Sequence, residues 1–195
     1  MNVKSAVFLD RDGVLNRNVF NPSTGEYESP GKREEFELIP NIMPALRELR
    51  RAGFLLFLVS NQPNYAKGKS TLEELRAVHS CLVEALQTAG VSFADFYYCL
   101  HHPHGKVNGY SGPCECRKPS PYFLLKARDE FDISLSDSWM VGDRPTDIEC
   151  GIAAGVKTIR IKEDHPVTRA ASEPTADHEV RDFASAAEII IKAGG

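Results

Sequence analysis

The segment Val7-Phe8-Leu9-Asp10-Arg11-Asp12-Gly13-Val14 constrains the fold of this chain more than any other. Val3, Ala6, Val7, Phe8 and Leu9 make up an apolar stretch with the character of a strand buried on both faces. The stretch stops at two aspartates one residue apart, followed by a glycine. Open α/β sheets deliver ligand-binding side chains at the carboxyl ends of their strands, so two acids there stand where chemistry is done. Alternate residues of an extended chain share a face. Asp10 and Asp12 are therefore expected to converge on one site, with Gly13 allowing a tight exit. A solvated Asp-rich turn would give the same letters. The rest of the chain decides between the two.

Strand and helix patterns alternate after that point. Residues 14–40 are polar and broken by Asn21-Pro22, Gly25 and Pro30-Gly31, a long loop or flap of the kind that usually carries function. Asn41 is placed to cap a helix with the apolar stripe Ile42, Leu46 and Leu49, ending at Gly53. Phe54 to Val59 reads as a core strand. Ser70-Thr71 with Glu73-Glu74 offers capping-box chemistry for a helix through Leu75, Leu82 and Leu86 to Gly90. A short aromatic strand follows between Phe93 and Leu100, and Ser120-Pro121 opens another helix with proline at its first position. Trp139-Met140-Val141 ends a strand, Asp147 to Ala154 is a short helix closed by Gly155, and Val156 to Ile161 is a further strand. Residues 163–182 read as polar loop and Ala184 to Ala193 as a terminal helix. The alternation predicts a three-layer α/β sandwich around a central parallel sheet. With 195 residues, 42% of them hydrophobic, the chain suits one domain over residues 1–195.

The charge balance narrows the partners. A net charge of −4 disfavours nucleic acid, and no stretch reaches the length of a membrane span. The first strand lies too near the amino terminus to leave room for a signal peptide. Of the five cysteines, three are clustered, which points to metal or redox chemistry in a reducing compartment. A cytoplasmic monomer acting on a small molecule is expected.

Four clusters fall at the carboxyl ends of the strands: Asp10/Asp12, Ser60-Asn61-Gln62, Arg117-Lys118, and Gly142-Asp143 with Asp147. Singly, each is ordinary turn or cap chemistry. Together they form a phosphoryl-transfer set. One carboxylate can attack phosphorus while a second handles the proton. A third, with magnesium, offsets the negative charge of nucleophile and phosphate. A hydroxyl or amide and a lysine can hold the phosphoryl oxygens. A phospho-receiver domain also joins aspartates and a lysine, but it does not need an acid two residues past the nucleophile.

A second constellation is soft rather than hard. Cys99-Leu100-His101 and Cys114-Glu115-Cys116 supply three thiols and an imidazole, a set suited to tetrahedral zinc in a structural role. His102 is an alternative to His101 as the fourth ligand. The loop between the pairs holds Pro103, Gly105, Gly109, Gly112 and Pro113, so its folding needs its ends tied. Cys81 and Cys150 fall in helical segments and read as buried fillers.

At these residues the chain resembles the haloacid dehalogenase-like phosphohydrolases. Phe8-Leu9-Asp10-Arg11-Asp12-Gly13 is similar to their nucleophile motif, Ser60 to the second motif, Lys118 to the third, and Gly142-Asp143 with Asp147 to the fourth. The resemblance covers about residues 3 to 161. It implies a Rossmann-like sheet without a large cap domain, Asp10 as nucleophile, Asp12 as general acid and base, and catalytic roles for Ser60 and Lys118. It also implies magnesium held by the Asp10 and Asp143 carboxylates and the Asp12 backbone carbonyl. The zinc-loop pattern running directly into Arg117-Lys118-Pro119 resembles a smaller group of heptose-bisphosphate and histidinol-phosphate phosphatases. The long spacing from Cys99 to Cys114 and His101-His102-Pro103 match the heptose type. The group implies Asn18, Val19, Phe20, Asn21, Asn61, Gln62, Arg117 and Arg144 as substrate contacts. Two positions depart from its pattern: Pro63-Asn64-Tyr65 replaces Ser-Gly-Ile, and Arg144 replaces a lysine. Both bear on substrate choice rather than on the phosphoryl chemistry.

Overall fold

Alternation along the first strand decides the layering of the molecule. A computed structural model describes residues 4–162 and 173–194. In it β1 (Ala6–Leu9) is wholly buried, but its residues go to two different cores. Val7 and Leu9 pack with Leu46, Leu49, Leu82, Leu86 and Phe183, whereas Ala6 and Phe8 pack with Phe57, Leu124, Ala127 and Cys150. The period of two therefore sends alternate side chains to helices on opposite faces of one sheet. One helical layer holds α1 (Ile42–Arg51), α2 (Leu72–Thr88) and α5 (Phe183–Gly194); the other holds α3 (Tyr122–Phe131) and α4 (Pro145–Ala154).

The central sheet has six strands, β1 with β4 (Leu55–Asn61), β5 (Asp95–Cys99), β6 (Trp139–Gly142), β7 (Lys157–Ile161) and β8 (His178–Val180), in the order β5-β4-β1-β6-β7-β8. Every pairing in it is parallel. Leu9 lies opposite both Leu58 and Val141, so β4 and β6 flank the carboxyl end of β1 on either side. The chain builds outward from β1 through β4 to β5 and then returns past β1 to β6. Such a reversal of strand order leaves a crevice at the carboxyl ends, where open α/β sheets bind ligands.

Several local expectations need correction. The segment 14–40 is not all loop: β2 (Val19–Asn21) and β3 (Glu26–Glu28) form an antiparallel hairpin, and a short 3-10 helix spans Arg33–Glu35. The flap is zipped at its base, where the Arg17 amide donates to the Glu37 carbonyl at 2.8 Å and the Ile39 amide to the Leu15 carbonyl at 3.0 Å. Asn41 precedes α1 in the left-handed conformation, φ 62°, and its side chain makes no capping bond. Thr71 does cap α2, in a capping box with Glu74. Pro121 sits at the cap of α3, one residue before its first turn, and α4 starts at Pro145, two residues earlier than expected. The polar loop over 163–182 is interrupted by β8; residues 163–172 lie outside the described residues, as does Val3. Cys150 is buried, but Cys81 is partly exposed. Among the described residues, no helix is long and apolar enough to cross a membrane.

Candidate active site

The crevice holds a buried charge cluster. Lys118, 3% exposed, reaches under the end of β1, and its Nζ lies 2.9 Å from Asp10 Oδ1 and 2.7 Å from Asp147 Oδ1. Its Nζ also donates to the Val59 carbonyl at 2.6 Å. Burial alone would lower the Lys118 pKa, but Asp10 and Asp147 outweigh it and hold the ammonium charged. Burial pushes the Asp10 carboxyl up; Lys118 opposes that, and Asp147 and Asp12 reinforce it. Asp10, Asp143 and Asp147 bring carboxylate oxygens within 4.8 Å of one another. Three buried carboxylates at that separation offer the hard oxygen donors that a divalent cation such as magnesium takes.

Local backbone chemistry builds this geometry. The Asp10 amide donates to the Val141 carbonyl at 3.0 Å, continuing the β1–β6 ladder one residue past the strand. Gly13 has φ +83°, and a Cβ there would run into the Asp143 carboxylate. A Cβ on Gly142 would strike the Asp147 side chain in the same way. Glycine is thus needed at both positions for the acids to close on Asp10. The Asn61 amide clamps the Lys118 peptide from both sides, each bond at 3.1 Å.

The second acid of the motif faces differently. Asp12 is 2% exposed and accepts from Arg11 Nε at 2.9 Å, Asn16 Nδ2 at 2.9 Å and Gln62 Nε2 at 2.6 Å. Burial would raise its pKa, but Arg11, with hydrogen bonds from Asn16 and Ser29, outweighs burial and lowers it. Asp10 and Asp12 still border one cleft of about 220 Å³, together with Ser29, Asn61, Pro63, Arg117, Lys118, Arg144 and Asp147. A wider cleft of about 1110 Å³ opens beside the flap and shares Arg144 with the first.

Not every residue expected to bind substrate lies at the narrow cleft. Asn61 and Arg117 border it, although the Asn61 amide is committed to Lys118 and Arg117 Nη1 donates to the His101 carbonyl at 3.1 Å. Arg144 borders both clefts, and neighbouring Asp143 and Asp10 hold its pKa raised against burial. Gln62 is buried and spends its amide on Asp12, Ser60 and Arg11, so it does not border the cleft. Asn18 borders the wider cleft, but Val19, Phe20 and Asn21 line neither. Phe20 is instead exposed against Tyr27 at the hairpin, and Asn21 Oδ1 closes its turn by accepting from the Ser23 amide. Ser60 is buried with its Oγ against Gln62.

A second cluster of side chains able to hold a metal lies between β5 and α3. Cys99, His101, Cys114 and Cys116 bring their ligand atoms within 4.8 Å of one another. Cys99 Sγ is 3.6 Å from Cys114 Sγ, and His101 Nδ1 is 3.7 Å from Cys116 Sγ. His101, not His102, completes the set; His102 Nδ1 accepts from the His104 amide at 3.1 Å. The loop is tied by more than this cluster. Its Lys106 amide donates to the Ala66 carbonyl at 2.6 Å, and Tyr110 packs on both Tyr65 and His101. The Pro63-Asn64-Tyr65 departure therefore has a structural use, and Asn64 Nδ2 also donates to the Ser29 carbonyl of the flap at 3.2 Å.

Reading the sequence alone passed over Arg11, Asn16 and the Asp147–Lys118 pair. A charged residue between two acids at the end of a wholly apolar strand was the available signal for Arg11.

The chain is similar to known proteins along most of its length. A family model described as HAD-hydrolase-like matches residues 115–186. The chain is 36% identical to a D-glycero-beta-D-manno-heptose-1,7-bisphosphate 7-phosphatase from Yersinia pestis, covering 92% of this chain and 91% of that one. It is 35% identical to the protein of the same name from Escherichia coli K12, over 96% of this chain and 94% of the relative. Its fold matches the crystal structure of the D,D-heptose 1,7-bisphosphate phosphatase from B. bronchiseptica, complexed with magnesium and phosphate. That match has a TM-score of 0.77 and 25% identity, covering 96% of this chain and 98% of the other. The chain belongs to the haloacid dehalogenase-like hydrolases, in the family that holds these phosphatases.

Proposed function

We propose that this protein is a magnesium-dependent phosphatase that hydrolyses the 7-phosphate of D-glycero-D-manno-heptose 1,7-bisphosphate, in nucleotide-heptose biosynthesis. The observation that carries the reaction is the buried Asp10–Lys118–Asp147 cluster bordering a cleft at the strand ends. The sugar is supported by the names of relatives that align over nearly the whole chain.

An Asp10 carboxylate oxygen attacks phosphorus, the bond from phosphorus to the sugar oxygen breaks, and Asp12 gives that oxygen a proton. Water then attacks the phosphorus of the aspartyl-phosphate, Asp12 takes the water's proton, and inorganic phosphate leaves with Asp10 restored. Lys118 and Ser60 hold the phosphoryl oxygens in both steps. The Asp10 and Asp143 carboxylates and the Asp12 carbonyl would hold magnesium. When bound, it supplies positive charge against the phosphate and the nucleophile. The thiol-imidazole cluster fits zinc in a structural role, since three sulfurs and one nitrogen leave no open position. Unpaired cysteines and a thiolate metal site also agree with a cytoplasmic enzyme.

The narrow cleft, about 220 Å³, is smaller than the ~300–1,000 Å³ of pockets that enclose whole ligands. It therefore encloses the reacting end, while Arg117 and Arg144 at its rim meet the remainder of a doubly charged substrate. Phosphate release across heptose 1,7-bisphosphate anomers, sugar monophosphates and histidinol phosphate tests this reading. The 7-phosphate of the heptose bisphosphate should be released much faster than any other, and a preference for histidinol phosphate would overturn the sugar assignment.

A further inference from the structure

Arg11 is a buried cation for which the reaction above has no use. It stands between the two aspartates, 1% exposed, and borders a groove on α2 and β5 with Gln62, His79 and Tyr98 rather than the cleft itself. Its guanidinium grips Asp12 with both prongs, Nε to Oδ1 at 2.9 Å and Nη2 to Oδ2 at 3.3 Å. Nη2 also donates to Gln62 Oε1 at 2.8 Å, and Gln62 Nε2 returns to Asp12 Oδ2 at 2.6 Å. Arg11, Asp12 and Gln62 thus close a ring of hydrogen bonds. Asn16 holds the other edge of the carboxylate at 2.9 Å. Behind the ring, the Tyr98 ring lies 5.9 Å from the guanidinium, and the Tyr98 hydroxyl meets His79 Nδ1 at 2.9 Å.

Desolvation offsets most of the attraction within such a buried pair, so the ring is a weak source of stability. What it does supply is placement. Four hydrogen bonds leave one carboxylate no free rotation, and proton transfer falls off steeply when the donor is misplaced by even an ångström.

We propose that Arg11, braced by Gln62, is a positioning residue that aims the Asp12 carboxylate at the leaving oxygen. This rests on the reading of Asp12 as the acid–base group, and the test separates the two.

Departure of p-nitrophenolate needs no proton, whereas departure of an alkoxide does. Damage to proton transfer therefore shows as a selective loss of kcat/KM, which reports the first chemical step, on alkyl phosphates. D12N should show that selectivity. R11M should lose about 10²-fold in kcat/KM on a sugar phosphate but only a few-fold on p-nitrophenyl phosphate. In the D12N background, R11M should cost little more, because the two act as one unit. R11K should recover part of the loss. Q62M leaves the Arg11 pair intact, so it serves if R11M does not fold; it should show the same selectivity at smaller size. Equal losses on both substrates by well-folded R11M or Q62M, or full additivity with D12N, would overturn the positioning role while leaving Asp12 in place. D12N losing both substrates alike would overturn the acid–base reading and the proposal with it.

Discussion

Two clusters of metal-ligating side chains lie within one molecule, and they are built in opposite ways. Asp10, Lys118, Asp143 and Asp147 are each no more than 6% exposed; Asp10 and Asp143 follow strand ends, Asp147 is on the first turn of α4, and Lys118 lies in the turn before α3. The sheet places Asp10 through its backbone ladder, the Asp10 amide on the Val141 carbonyl, and Lys118 through the Asn61 amide at the end of β4. Of the soft cluster, only Cys99 is on a strand; His101, Cys114 and Cys116 lie in coil and are half-buried. The first site is organised by the core, and the second lies within a loop whose ends its ligand atoms bring together. Lys118 joins the two, since it follows Cys116 by two residues and is held at its peptide by Asn61.

That contrast can be broken by separating activity from stability. The largest effect should come from D10N, which should lower turnover on the order of 10⁵-fold or more while the fold and the thiol-bound ion persist. Kinetics alongside metal analysis and thermal melting check it. C114S or C116S should instead lose the ion, activity and stability together, with a fall in Tm of ten degrees or more, because metal binding there is folding free energy. Removing magnesium with a chelator should stop turnover with a far smaller change in Tm. R117A comes next: kcat/KM on the bisphosphate should fall about 10- to 100-fold, and by much less on a small phosphate ester, as charge-assisted contacts of ~1.5–3 kcal/mol require. The smallest effect should be that of T71A, a helix cap that lines neither cleft. It should cost ~1 kcal/mol in denaturant unfolding and leave kcat unchanged.

Much of the scaffold was legible because core strands and helix stripes repeat their signal over many residues. Leu46, Leu49, Leu82 and Leu86 are buried on the faces their spacing implied. The hairpin β2–β3 and the edge strand β8 were not legible. Each strand is only three residues long, and in each two of the three or all of them lack burial, so no apolar alternation marks them. At the site, the Asp10, Ser60 and Asp143 clusters could be found because they end strands, whereas Arg117-Lys118, also expected at a strand end, lies in the loop before α3. Their partnerships could not, because Arg11–Gln62 spans 51 residues and the Lys118–Asp147 pair also depends on how strands stack. Gln62 shows the difference most clearly. Its position beside Ser60 marked it for the site, but only the three-dimensional structure turns its amide inward to Asp12.

The most direct test of covalent catalysis at the sheet-organised site is to trap the phosphoenzyme. Enzyme mixed with heptose 1,7-bisphosphate and magnesium is quenched in acid, reduced with borohydride and digested, and its peptides are sequenced by mass spectrometry. Reduction of an aspartyl-phosphate leaves homoserine, which should be found at position 10 and be absent from D10N. Phosphate release with Asp10 unmodified, or homoserine at another aspartate, would contradict Asp10 as the nucleophile.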